Sequence, residues 1–221
     1  MSQFEKLVVQ LDKEHSALRA TVIVAFITSW AILFLVFSSV IADAGFNLLA
    51  VFLASAGAWG ITAVLERYLQ GRWTSGRVVE VDADGVRLKR KGTVEGEILS
   101  EDPAQVALWR FTVTKRARVP KGHSVFACAV YFEDTYVPVY TFFSPKQVEA
   151  FADAERFAKL ASSKAAAGER EDLRLAGEQR RLREAENHRW SHGGEMSADD
   201  FLTYYARLKA QYPEWLDSKS S

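Results

Sequence analysis

Charge is nearly absent from one long part of this chain: between Ala20 and Leu65 the only ionisable residue is Asp43. That absence excludes an ordinary water-facing surface here, because a solvated helix needs polar residues on its outer face. Cysteine is almost as scarce. The lone Cys128 has no partner for an internal disulfide, and its alternating apolar surroundings mark it as a core thiol. Net charge is missing as well: 28 basic residues balance 28 acidic ones, so no overall field draws the chain to nucleic acid. Catalytic signatures are also wanting, with no Gly-rich phosphate loop, nucleophile elbow, HExxH or paired CxxC. The chain therefore reads as a non-enzyme without cofactor or metal. His188 and His192 could share a helical face, but no acidic or Cys ligand stands at a convincing spacing, and Gly193-Gly194 suggests a helix end there instead.

What fills the uncharged region is a pair of apolar runs, residues 20–42 and 45–65. At about 1.5 Å per residue each reaches roughly 30 Å, the thickness of a bilayer's hydrocarbon core. Irregular backbone cannot face lipid, so the two runs predict an antiparallel transmembrane hairpin. Ala42-Asp43-Ala44 imitates a signal cleavage site, yet the run before it is too long for a signal peptide and a second run follows at once. Lys6, Lys13 and Arg19 precede the hairpin, Arg67, Arg72 and Arg77 follow it, and the loop between has no Lys or Arg. Basic flanks stay inside, which places both termini in the cytoplasm. Ala50, Ala54, Ala58 and Gly60 form a small-residue set on the second helix, suited to seating the first helix or a second copy of the chain. No Asp, Glu, Lys, Arg or His lies within either span, so a proton relay or ion path has no ligands there.

Residues 1–19 have helical spacing, with Phe4, Leu7, Val8, Leu11, His15 and Leu18 on one face, and predict an amphipathic helix on the cytoplasmic side. After Trp73 the period changes to two. Residues 77–82 and 86–89 flank an Asp84-Gly85 turn, a weak segment follows at 94–99, and residues 108–114 and 124–132 alternate or are apolar throughout. Residues 136–143 form another strand, where Pro138 argues for an edge or a bulge. Ser144-Pro145 then starts a helix predicted over residues 146–162, with Val148, Phe151, Ala154, Phe157 and Ala158 on one face. Residues 74–163 thus predict a compact α+β domain of antiparallel strands covered by a helix.

This order of elements resembles bacterial membrane proteins with a pleckstrin-homology-like domain, the YcxB-like group among them. The resemblance covers roughly residues 20–160 and rests on the hairpin, on Trp109 in mid-meander, and on the junction Tyr140, Phe142, Phe143, Ser144, Phe151. It implies a partly open antiparallel barrel plugged by a C-terminal helix through Phe151 and Phe157, with Trp109 in the barrel core. It also implies a binding or scaffolding role in the inner membrane.

Three surfaces compete as interaction sites. Arg87, Lys89, Arg90 and Lys91 cluster after the first hairpin turn, and Lys115, Arg116, Arg118 and Lys121 after the Trp109 strand; both clusters are candidates to face anionic lipid. Residues 164–196 are rich in Ala, Glu and Arg and predict a solvated charged helix, because leucines are too few for a coiled-coil seam. Residues 197–216 predict a short helix capped by Ser197, whose Phe201, Tyr204, Tyr205, Leu208, Tyr212 and Trp215 either fold back on the domain or dock a partner. The expectation is a plasma-membrane protein that presents an interaction domain to a protein partner. Its alternatives are an anionic-lipid sensor and an accessory subunit of a larger membrane complex.

Overall fold

The computed structural model describes residues 5–12, 16–41, 47–113, 119–161 and 173–217. The chain divides into two compact units, one from Asp12–Ser75 and one from Met1–Leu11 together with Gly76–Ser221.

The first unit is an antiparallel pair of helices, α1 (Ser16–Val40) and α2 (Leu48–Arg72), both long and apolar enough to cross a membrane. Asn47 caps α2: its Oδ1 accepts from the Ala50 amide at 3.1 Å while its Nδ2 donates to the Ile41 carbonyl at 3.2 Å. One side chain thereby satisfies an orphan amide of α2 and a carbonyl at the end of α1.

The second unit is α+β. Its first sheet has the order β1-β2-β3-β4, from Leu7–Gln10, Arg77–Asp82, Gly85–Arg90 and Thr93–Leu99. The second is built on β5 (Gln105–Thr112), β6 (Ser124–Phe132) and β7 (Thr135–Phe143), which pair antiparallel. Two short parallel strands flank them, β8 (Ala158–Lys159) beside β5 and β9 (Gly194–Glu195) beside β7. Gly85 follows the β2–β3 turn because a Cβ there would lie 2.1 Å from the Ile98 carbonyl oxygen. The weak segment is a real strand, but β4 carries a bulge: Leu88 pairs with Gly96 and Lys89 with Val94, leaving Glu95 as the extra residue.

Residues 7–10 are strand rather than amphipathic helix. Leu7-Val8-Val9-Gln10-Leu11 fits both periods, and the available edge of β2 decides it: Val9 and Leu11 are buried while Val8 and Gln10 are exposed. Phe4, Lys13 and His15 lie outside the described residues.

The helix predicted over 146–162 is only one turn and a half long. The helix α3 (Pro145–Ala150) begins with a capping box, Ser144 Oγ accepting from Gln147 N and Gln147 Oε1 from Ser144 N, and then gives way to a 3-10 turn at Ala154–Arg156 and to β8. The long cover comes from the C-terminal region: α4 (Leu173–His192), α5 (Ala198–Gln211) and α6 (Pro213–Asp217). These helices belong to the same compact unit as the sheets, not to a separate tail.

Burial on both faces of β6 explains its unbroken apolar sequence. Phe126, Cys128 and Val130 enter the main core with Val79, Ile98, Phe143, Phe157 and the side chains of α5. Val125, Ala127 and Ala129 enter a second core with Trp109 and Tyr140, under α4. Phe157 fills the main core and Phe151 packs against it, whereas Trp109 belongs to the opposite face of the sheet. Pro138 lies on β7 just before its short pairing with β9, where its missing amide costs no ladder bond.

Candidate functional site

The small-residue set on the hairpin is a packing face. Ala50, Ala54 and Ala58 are fully buried, and Thr62 extends the row by donating back to the Ala58 carbonyl at 2.6 Å. Trp30 Nε1 donates across to Ser55 Oγ at 3.0 Å. Gly60 is not part of this face, since a Cβ there would meet nothing within 4 Å. Gly57 takes that place: a Cβ on it would come 2.8 Å from Leu33 Cδ1. The reason is angular. At about 100° per residue, Gly60 points roughly 120° away from the centre of the Ala50–Ala54–Ala58 stripe, and Gly57 only about 60°. An apolar groove on the same pair, lined by Val22, Phe26, Trp59, Thr62 and Ala63, has Glu66 at its edge.

The first basic cluster is largely neutralised within the sheet. Arg87 bonds Asp82 at 2.8 Å and also Glu97, Lys89 bonds Glu80 at 2.6 Å, and Arg90 bonds Glu95 at 2.6 Å. Cross-strand register imposes this, because Arg87 stands opposite both Glu80 and Glu97 on its neighbouring strands. Burial alone would raise the Glu80 carboxyl, but hydrogen bonds from Lys6 and Lys89 outweigh it and hold the group below its usual value. The Glu97 hydrogen bond likewise raises the Arg87 guanidinium. The first cluster is thus largely ion-paired, with Arg90 and Lys91 as its exposed members; Lys121 of the second cluster is exposed as well. Lys115, Arg116 and Arg118 lie outside the described residues.

The aromatic C-terminal set is core. Phe201, Tyr204, Tyr205, Leu208, Tyr212 and Trp215 are all buried in the main cluster, so they do not form a docking surface. Ser197 caps α5, accepting from Asp200 N at 3.2 Å, and Phe201 and Tyr205 meet Phe143, Phe151 and Phe157 edge-on or tilted. Tyr212 and Gln211 both donate to the Asp82 carbonyl, fixing the end of α5 to the β2–β3 turn. The amphipathic face left both fold-back and partner docking open, and the structure shows fold-back; α3 is too short to cover the sheet. Burial pushes the Cys128 thiol and the Tyr204 phenol up, so both stay protonated at neutral pH.

Sequence reasoning missed the device that holds α4. Arg189 is only 4% exposed and bonds Glu186 twice, at 2.7 and 2.6 Å, while Trp109 Nε1 donates to the same carboxylate at 2.8 Å. The Arg189 guanidinium lies over the Tyr140 ring, 4.5 Å from its centroid. Higher up, Gln179 bridges the Lys159 carbonyl and the Ala161 amide, and the His188 ring stacks on Tyr136 at 3.9 Å. Among the described residues α4 is a docked helix rather than a solvated one. Its E-x-x-R spacing was visible, but only the buried Trp109 shows that the pair points inward.

These features define the protein as a helical hairpin, long and apolar enough for membrane association, joined to an α+β domain. No family model, curated protein or solved structure matches the chain.

Proposed function

We propose that the protein is a non-enzymatic bacterial plasma-membrane protein, in which an inside–inside hairpin anchors a pleckstrin-homology-like domain that binds a protein partner. The observation that carries this reading is the pairing of β1 with β2 on either side of the hairpin, Leu7 opposite Val81 through Gln10 opposite Val78. Strands that pair must share a compartment, so the hairpin is an insertion in the sheet whose two ends face the same way. An even number of spans and the basic flanks agree with cytoplasmic termini. A four-stranded sheet beside a three-stranded meander, covered by a C-terminal helix, supports the pleckstrin-homology-like reading. The burial of the aromatic set moves partner binding from α5 to the exposed edges of the sheets.

Buried Cys128 gives a silent background for a topology test. In sealed membranes from which the outer face is accessible, an impermeant maleimide should label Asp43→Cys at once and Ala83→Cys only after permeabilisation. Equal labelling of both before permeabilisation would overturn the topology. Purification of the full chain in mild detergent, followed by native mass measurement, should give a stoichiometric heteromeric complex. Recovery of the chain only by itself or as a homo-oligomer would overturn the partner reading.

A further inference from the structure

The end of the domain from which the hairpin departs has an uncommon surface. Five backbone and side-chain hydrogen bonds gather it. The Leu11 amide donates to the Arg77 carbonyl at 2.9 Å, and the Lys91 amide to the Gly76 carbonyl at 2.6 Å. The Arg77 guanidinium donates to the carbonyls of His192 and Gly193, the latter at 3.2 Å, and through Nε to Glu95 at 2.8 Å. The last turn of α4 and the β3–β4 turn are therefore held beside Leu11 and Gly76, the residues where the domain's chain leaves for the hairpin and returns from it.

On this end stands Trp190, 75% exposed, more than any other large hydrophobic residue described and above even Val40 of α1 at 73%. A tryptophan so exposed is expensive in water and favoured at the headgroup level of a bilayer. The charges nearby suit the same place. Arg77 and Arg90 share the Glu95 carboxylate, and Lys91 follows Arg90 at the exposed β3–β4 turn. Arg77 also occupies the C-terminal carbonyls of α4, removing the partial negative charge that an uncapped helix end would turn toward anionic lipid. Lys91 is exposed and held outward by a left-handed turn with φ of 48°.

We propose that this end of the domain is a lipid contact: Trp190 inserts at the headgroup level of the bilayer crossed by α1 and α2, and Lys91 engages anionic headgroups beside it. The contact rests on the reading of α1 and α2 as membrane spans. It uses Lys91 and Trp190, not the ion-paired Arg87 and Lys89.

The test uses the full chain in phosphatidylcholine–phosphatidylglycerol nanodiscs, with single thiols carrying a bimane label while Cys128 stays buried. Labels go on Ser191→Cys beside the intact Trp190, on Ala83→Cys at the far end of β2, and on Ile32→Cys within α1. Shallow-brominated lipid should quench the label at 191 several-fold more than the label at 83. Adding Trp190→Ala or Lys91→Glu should reduce that difference at least twofold, and so should replacing phosphatidylglycerol by phosphatidylcholine in the case of Lys91. Equal quenching at 191 and 83, or no response to either substitution, overturns the contact. Deep-brominated lipid must quench the label at 32; failure there overturns the spanning reading itself and is separable from failure at 191.

Discussion

Replacing Glu186 by Ala removes the hub of the contact between α4 and the second sheet. The carboxylate accepts from Arg189 Nε and Nη2 and from Trp109 Nε1, all within 2.6–2.8 Å. Breaking a buried ion pair by deleting one partner typically costs about 3–5 kcal/mol. Here the Glu186 side chain keeps 19% exposure and Arg189 keeps its place over Tyr140, which puts the charge loss nearer ~2 kcal/mol. The orphaned Trp109 amine adds ~1 kcal/mol. A total of ~3 kcal/mol is about a 150-fold change in an opening equilibrium. Because the donors to this carboxylate are Arg189 of α4 and Trp109 of the second core, the loss should appear as local opening of α4. Hydrogen exchange on the full chain in detergent should therefore show amides across residues 179–189 losing about two decades of protection while those of β6 and β7 hold. Glu186→Gln, which retains one acceptor, should lose about half as much in free energy. The reasoning fails if Glu186→Ala leaves α4 protection within a factor of three of the parent. It fails equally if β6 and α4 lose protection together by the same factor, since α4 would then have no separable opening.

Gly57→Leu should overpack the hairpin against Leu33 and weaken it by about 1–3 kcal/mol, read as a fall in bis-maleimide cross-linking between Trp30→Cys and Ser55→Cys; Gly60→Leu should leave the yield unchanged. Tyr204→Phe removes a fully buried hydroxyl without a hydrogen-bond partner, so urea denaturation should show no loss and a gain of up to ~1 kcal/mol. Glu80 has its folded pKa lowered, so its contribution exists above the unfolded carboxyl value and disappears as pH falls through the folded one. Glu80→Gln should accordingly cost about 1 kcal/mol at pH 7, with the difference from the parent shrinking as pH falls below the ordinary carboxylate range in acid titrations of urea stability.

How legible the fold was depended on whether its elements are held by apolar periodicity. The hairpin and the strands β5 to β7 are, and their missing charges and alternating side chains announce them. The first strand is too short to carry a distinguishable period; its identity comes from β2, which lies beyond the hairpin in sequence. The helix α4 looked solvated because its anchors are Arg189, Glu186 and Gln179, residue types that ordinarily face water. On α5 the apolar face was plain but its occupant was not, since that depended on α3 stopping at Ala150. Arg87 and Lys89 were misjudged as open charges for a related reason: they were counted without the acids Asp82, Glu80 and Glu97 that pair with them.

The pairing of β1 with β2 also sets an order of events. When β1 leaves the ribosome, its partner has not yet been made, and the whole hairpin comes between them. At about 5–20 residues per second, the roughly 65 intervening residues take on the order of 3–13 s to synthesise. Throughout that interval the N-terminal strand offers Val8 and Val9 on an unpaired edge, the kind of edge that recruits chaperones or strays into aggregation. The first sheet closes only after both α1 and α2 have been synthesised, so pairing of β1 with β2 reports that the whole hairpin has emerged.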